Sequence, residues 1–310
     1  MRIAVADLGT NSTRLLVADV SPDGELTQIE RLTEVTRLGE GVDGRGRLAP
    51  QAIERVAGTL ARYRDTAERH RAERKIAVAT SAVRDAENGA ELTDRGRGFG
   101  FDVRTISGEE EARLTVLGAT ARRAGGPNAG ETLVLDIGGG STELVVGRPG
   151  DEPTFHVSTR LGSVRQTERH LLSDPPRHDE LVALADEASE IVRAAVPEER
   201  RRATATGIAV AGTPTSLAAI AQKLDPYDPD LVDGYLLELA AVERMLAMLA
   251  LLPVSDRREV TGLLPERAPT IVAGVAILAE SMRLFGLQEV EVSESDILDG
   301  AALDAVRGAG

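Results

Sequence analysis

The chain has 310 residues, a formal net charge of −14, 2% aromatic residues and no cysteine. A chain of this length buries about 75% of the surface its unfolded form exposes and predicts two domains. The charge argues against nucleic acid and anionic membranes as partners, the few aromatics remove base-stacking platforms, and the lack of cysteine excludes disulfides, thiolate nucleophiles and thiolate metal sites.

The start Met1-Arg-Ile-Ala-Val5 enters a strand directly and shows no secretory signal, which predicts a cytoplasmic protein. The strand at 3–6 runs into Asp7-Leu-Gly-Thr-Asn-Ser-Thr-Arg-Leu15 and out into a second apolar strand at 15–20. The pattern returns as Asp136-Ile-Gly-Gly-Gly-Ser-Thr-Glu-Leu144, again between apolar strands, at 133–135 and 144–146. Glycine permits a tight turn with bare N–H groups, Ser and Thr add hydroxyl donors, and such concavities bind anions. Asn11, Ser12 and Arg14, with Gly138, Gly139, Gly140, Ser141 and Thr142, are therefore the phosphate-binding candidates. The aspartate ahead of each turn suits a hard cation, so Asp7, Asp136 and Glu143 are the candidate ligands of Mg²⁺ or Mn²⁺. Arg14 stands where the second copy has Glu143, and Asn11 where it has Gly140. The first loop thus reads as the phosphate holder and the second as the metal holder. Facing each other across a crevice, the two would grip a phosphate chain and its metal.

Between the copies, Gly39-Glu-Gly-Val-Asp-Gly44 spells a dinucleotide-binding glycine pattern. It runs into a loop rather than a helix, and Glu40 and Asp43 would repel pyrophosphate, so it reads as a decoy. Pro50 opens a helix with Ile53, Val56, Ala57 and Leu60 at helical spacing. A buried strand at 76–79 ends at Thr80-Ser-Ala-Val-Arg84, and a strand at 103–106 precedes a helix over about 108–123. Ser107 and Glu110 form a capping box there, which leaves Glu111 unexplained, turned about 100° around the helix from Glu110. Arg84, just past a strand, has two readings: a fork onto phosphoryl oxygens, or a surface pair with Asp85. The turn-forming stretch at 124–130 is the best linker, dividing an N-terminal α/β domain (1–124) from a C-terminal one (125–310). The terminal helix at about 297–310 is a candidate to pack back on the first.

In the second half, a strand at 208–211 leads into Gly212 and Thr213, which read either as a third phosphate contact or as a simple strand-to-helix turn. Apolar runs at 236–252 and 270–284 carry Glu238, Glu243, Arg244, Glu280 and Arg283, and so predict buried helices rather than membrane spans. Core packing and a homodimer interface explain them equally. His70, His156, His170 and His178 share no metal-ligand spacing, and Glu198-Glu-Arg-Arg-Arg202 reads as a solvated turn. Strands alternating with helices on both sides of the linker predict two similar α/β halves around a cleft.

Together these residues resemble the exopolyphosphatase / guanosine pentaphosphate phosphohydrolase family, within the actin, hexokinase and Hsp70 class of duplicated folds. The resemblance spans residues 3–303. It rests on the two hairpins, Ala79-Thr-Ser-Ala-Val-Arg-Asp-Ala-Glu-Asn88 and Ile106-Ser-Gly-Glu-Glu-Glu-Ala-Arg-Leu114. Leu161-Gly-Ser-Val-Arg165 and Gly212-Thr-Pro-Thr-Ser-Leu217 add weaker support. The family's Arg-Glu-Gly near the C-terminal helix reads Leu298-Asp-Gly300 here, and the further helical domain of longer members has no counterpart.

The resemblance implies that Glu111 is the general base for the attacking water, with Arg84 on the terminal phosphoryl group. The implied reaction is Mg²⁺-dependent hydrolysis of the terminal phosphoanhydride of inorganic polyphosphate, with short chains expected from the missing domain. The 5′-triphosphate end of guanosine pentaphosphate is the alternative, which the few aromatic rings disfavour. A kinase of the same fold and a non-catalytic sensor are the other readings. Transfer to an acceptor would mark the first, and a water-activating carboxylate argues against the second.

Overall fold

The computed structural model describes residues 1–121, 130–148 and 153–307, so the linker expected at 124–130 lies, except for Gly130, outside the described residues. The chain divides into two compact units, Met1–Gly118 with Asp296–Gly310, and Ala119–Ser295. Both are α/β, as two mixed sheets with their helices.

The first unit begins with β1 (Arg2–Leu8), β2 (Thr13–Val20) and β3 (Leu26–Glu34), followed by α1 (Val42–Arg45) and α2 (Pro50–Arg69). Then come β4 (Arg74–Ala79), α3 (Ser81–Asp85), α4 (Gly89–Gly98), β5 (Asp102–Thr105) and α5 (Gly108–Thr120). The sheet order is β3-β2-β1-β4-β5, antiparallel on the β2 side of β1 and parallel on the β4 side. Because side chains alternate along a strand, β1 feeds two cores. Ala4, Ala6 and Leu8 pack with Ile53, Val56, Leu60 and Tyr63 of α2. Ile3 and Val5 turn to the opposite face, with Leu16, Leu114, Ile297 and Leu298. Burial on both faces explains the near-continuous apolar run.

The second unit contains β6 (Glu131–Ile137), β7 (Thr142–Gly147), β8 (Phe155–Thr159), α6 (Ser163–His170), α7 (His178–Ala195), α8 (Glu198–Ala203) and β9 (Thr204–Val210). It continues with α9 (Gly212–Gln222), α10 (Pro229–Val232), β10 (Leu236–Glu238), α11 (Leu239–Leu251), α12 (Val254–Arg257), α13 (Ile271–Phe285) and β11 (Glu289–Ser293). Read from its far edge, the sheet runs β8-β7-β6-β9-β11-β10. Here β6, β7 and β8 are antiparallel neighbours, whereas β6, β9 and β11 are parallel. That is the arrangement of β3-β2-β1-β4-β5 with one added edge strand, so the duplication embraces whole sheets and not only the hairpins.

One expectation needs correcting. The apolar run at 236–252 is not a single helix, since residues 236–238 form β10 and pair antiparallel with β11 before α11 starts. Three residues at the edge of the sheet are too few for their alternating exposure to stand out from a helical pattern in the sequence. Among the described residues no helix is long and apolar enough to cross a membrane.

The last helix, α14 (Ile297–Arg307), belongs to the first unit. Ile297, Leu298 and Leu303 are buried against that sheet, each contributing roughly 1.5–3 kcal/mol. Leu298, at the position of the family's arginine, therefore occupies an apolar site. Glycines let α14 meet α5 backbone to backbone. A β-carbon on Gly300 would lie 1.8 Å from the Leu114 carbonyl oxygen, and one on Gly118 would lie 1.8 Å from that of Asp296. Gly300→Ala should accordingly lower unfolding stability by about 2 kcal/mol or more in urea titrations, because a helix backbone cannot yield as a side chain can. A loss below about 0.5 kcal/mol would show that the helices are free to separate.

Candidate active site

In the first hairpin the turn closes by a hydrogen bond from Gly9 N to Ser12 O (3.1 Å), and a β-carbon on Gly9 would stand 2.9 Å from that oxygen. The loop after β3 then braces the turn from behind. Gly39 N donates to Thr10 O and Arg37 N donates to Asn11 O, both at 2.8 Å. In a trans peptide the carbonyl and the next N–H point in opposite directions. Tying down the carbonyls of Thr10 and Asn11 therefore turns the N–H groups of Asn11 and Ser12 away from the brace, the orientation that anion-binding loops use. Gly39 makes the brace fit, since a β-carbon there would meet Thr10 Cγ2 at 2.2 Å. The glycine run that mimics a dinucleotide motif is thus the buttress of this loop.

The second hairpin repeats this construction. Gly138 N donates to Ser141 O (3.0 Å). The N-terminus of α6 supplies the brace: Ser163 N donates to Gly138 O (2.9 Å), and Val164 N (2.9 Å) and Arg165 N (3.2 Å) donate to Gly139 O. Arg165 Nε completes it on Gly140 O (2.9 Å). Otherwise unpaired N–H groups of a helix start are spent on loop carbonyls. The N–H groups of Gly139, Gly140 and Ser141 consequently point the other way. Gly162 permits the close approach, since a β-carbon there would lie 2.3 Å from Gly139 O. This explains the Leu161–Arg165 motif structurally.

Register distinguishes the two hairpins. Asp7 lies opposite Arg14, and Asp136 lies opposite Glu143. Arg14 Nε (3.0 Å) and Nη2 (2.7 Å) both donate to Asp7 Oδ2, while the buried Asp7 Oδ1 has no hydrogen-bond partner. Burial pushes the Asp7 carboxyl up, outweighing Arg14 beside it. Arg14 Nη1 donates to Asp296. The first hairpin therefore carries its own cation, and Arg14 is oriented by two carboxylates.

In the second hairpin a carboxylate faces a carboxylate. Asp136 and Glu143 are buried, and Ser158 Oγ donates to Glu143 Oε1 (2.7 Å). Directly opposed side chains share one face of a strand pair, where like charges repel. A hard divalent ion with oxygen ligands suits this pair. Among the described residues no group of three or more His, Cys, Asp and Glu gathers as a metal site. Two carboxylates completed by water and phosphate oxygens is the manner in which Mg²⁺ is ordinarily held.

Glu111 and Arg84 meet in the first unit. Glu111 lies in the first turn of α5, where Ser107 Oγ accepts from Glu110 N (3.1 Å) as the capping pattern expects. Glu109 is exposed, Glu110 half-buried and Glu111 buried. Arg84 Nη1 donates to Glu111 Oε2 (2.9 Å) and to Ile106 O (3.0 Å), so Glu111 takes the place proposed for Asp85. Helix α3 starts beside the first loop, since Ser81 Oγ and Thr10 Oγ1 share a 2.8 Å hydrogen bond.

At the β9–α9 junction of the second unit, Ala211 adopts φ 71° and ψ −171°, a conformation rare outside glycine. Thr213 turns its side chain against α13, where a β-carbon on Gly274 would come within 2.3 Å of its Oγ1. Any phosphate contact at Gly212 and Thr213 would thus use N–H groups at the start of α9. Arg267, which the sequence did not single out, packs its guanidinium on Gly212, with Nη1 1.2 Å from where a β-carbon would stand. Only tertiary proximity reveals it. His70 and His170 are engaged with Glu30 and Glu187.

The sequence model of the Ppx/GppA phosphatase family matches residues 16–307. Exopolyphosphatase 2 of Mycobacterium tuberculosis is 38% identical over 326 aligned positions, covering 97% of this chain and 98% of that protein. The crystal structure of an exopolyphosphatase from Cytophaga hutchinsonii aligns with TM-score 0.89 at 27% identity, over 99% of this chain and 98% of that one. The Aquifex aeolicus member of the Ppx/GppA family aligns with TM-score 0.82 at 29% identity, over 100% and 99%.

Replacing Gly162 by Ala should loosen the second loop without unfolding the unit. Amide exchange at residues 163–165, whose N–H groups make the brace, should rise about tenfold or more in hydrogen-exchange mass spectrometry, and unchanged protection would mean that α6 does not hold the loop.

Proposed function

The chain belongs to the Ppx/GppA phosphatase family, and on that premise we infer that it is an exopolyphosphatase, hydrolysing the terminal phosphoanhydride of inorganic polyphosphate. The observation that carries this reading is the bracing of Gly138, Gly139 and Gly140, whose carbonyls are held from behind so that successive N–H groups are left to receive an anion. A chain of charge −14 needs such local donors to hold a polyanion.

Each group then has a role. The N–H groups of each loop would bind phosphate oxygens, and Asp136 and Glu143 would hold Mg²⁺ or Mn²⁺, with Asp7 as a further candidate carboxylate. When bound, the metal neutralises charge on the phosphate oxygens. Glu111 orients a water and accepts its proton as the water oxygen attacks the terminal phosphorus. The bond from that phosphorus to the bridging oxygen breaks, orthophosphate leaves, and the shortened chain keeps the bridging oxygen. Arg84 now grips Glu111 and would turn part of its guanidinium to the entering phosphoryl group, fixing the base and neutralising charge with one side chain.

Phosphate release from chains of graded length, with and without Mg²⁺, tests this. Glu111→Gln should lower kcat by about 10²–10⁴-fold with little change in KM. Asp136→Asn should instead raise the Mg²⁺ concentration needed for half-maximal rate. Intact turnover in Glu111→Gln would remove the base from the scheme, and preference for guanosine pentaphosphate over every polyphosphate would overturn the substrate.

A further inference from the structure

The start of α14 carries two acids whose neighbours exceed what a helix terminus needs. Asp296 Oδ1 accepts from Leu298 N (3.0 Å), and Asp299 Oδ2 accepts from Asp296 N (3.2 Å), a reciprocal cap. Capping leaves Asp296 Oδ2 unexplained, and that oxygen takes Arg14 Nη1. Arg31 Nη2 donates to Asp299, and its Nη1 lies 3.6 Å from Asp296 Oδ1. Arg14 stands opposite Thr33 and Arg31 opposite Leu16, so the two arginines are diagonal neighbours on one face of the β2–β3 pair. The acids of α14 are what allow these cations to sit together. Burial opposes charge on Asp296, yet Arg14 and Arg31 together hold its carboxyl below the usual range.

We propose that Asp296 is a positioning residue of the hydrolase, acting through Arg14 on the first loop; this rests on the function inferred above. Its pull on Nη1 fixes the guanidinium so that Nε and Nη2 both fall on Asp7 Oδ2. Asp7 Oδ1 is thereby kept out of the ion pair, buried and without a hydrogen-bond partner, beside Gly9 of the turn. Without Asp296 the arginine can swing to bridge both oxygens of Asp7, as guanidinium–carboxylate pairs prefer. The same helix meets α5, which carries Glu111, at Gly118 and Gly300. Helix α14 thus links the loop and the base-bearing helix within one unit.

Asp296→Asn separates this role from capping, because asparagine caps a helix as well as aspartate does while presenting no charge to Arg14. The expected result is a fall of about tenfold or more in kcat/KM for polyphosphate, and a fall of less than about twofold when the same change is made in Arg14→Gln, the signature of action through a shared partner. Amide exchange at residues 9–13 should rise in Asp296→Asn. Asp304→Asn, which removes the surface pair of Arg113 with Asp304 on the same helix, should change neither readout. Additive losses, or unchanged exchange at 9–13, would overturn the proposal. A wild-type protein releasing no phosphate from polyphosphate would overturn the inferred substrate instead, while the exchange comparison would still decide the role of Asp296.

Discussion

The chemistry proposed for this protein depends on where the carbonyls of two short loops are tied. A glycine-rich turn left alone presents oxygens and N–H groups alike, and oxygens repel phosphate. Here the oxygens of Thr10, Asn11, Gly138, Gly139 and Gly140 are each taken by a donor from behind. Peptide planarity then obliges the N–H groups to face the other way. Occupied backs are what would make the loops anion sites, and the segments occupying them, at 37–39 and 163–165, are then as necessary as the loops.

The two loops share a construction and differ in charge at the register position opposite the leading aspartate. Replacing the arginine opposite Asp7 by a glutamate opposite Asp136 changes a self-neutralised pair into an acid pair that favours a cation. Duplication thus supplies two loops of one construction, and the exchange of Arg14 for Glu143 gives them different electrostatics. Packing supports the division. The first hairpin is tied through Arg14 to α14, whereas the second is tied through α6 to its own sheet, each within its own unit.

Burial and a neighbouring guanidinium pull a carboxyl group in opposite directions. An isolated buried carboxylate tends to neutralise itself by protonation, whereas one gripped by a guanidinium need not. The same logic governs Asp296, which lies between two arginines, and fails for Asp7, which burial pushes toward the protonated form. Neighbouring acids of one unit thereby acquire different tendencies from local geometry.

Much was legible in the sequence because it is local. The hairpins at Asp7 and Asp136, the helix opened by Pro50, the cap at Ser107 and the family itself follow from residue type and spacing along a few turns of chain. Register pairs Asp136 with Glu143 because a short turn admits only that match. What tertiary structure decided are contacts between residues far apart in the chain. Gly39 buttresses Thr10, Arg267 lies on Gly212, Arg84 meets Glu111 instead of Asp85, and Asp296 reaches Arg14. None has a sequence signature, because a glycine needed for close approach and a charge needed across a core look, in one dimension, like any other glycine or charge.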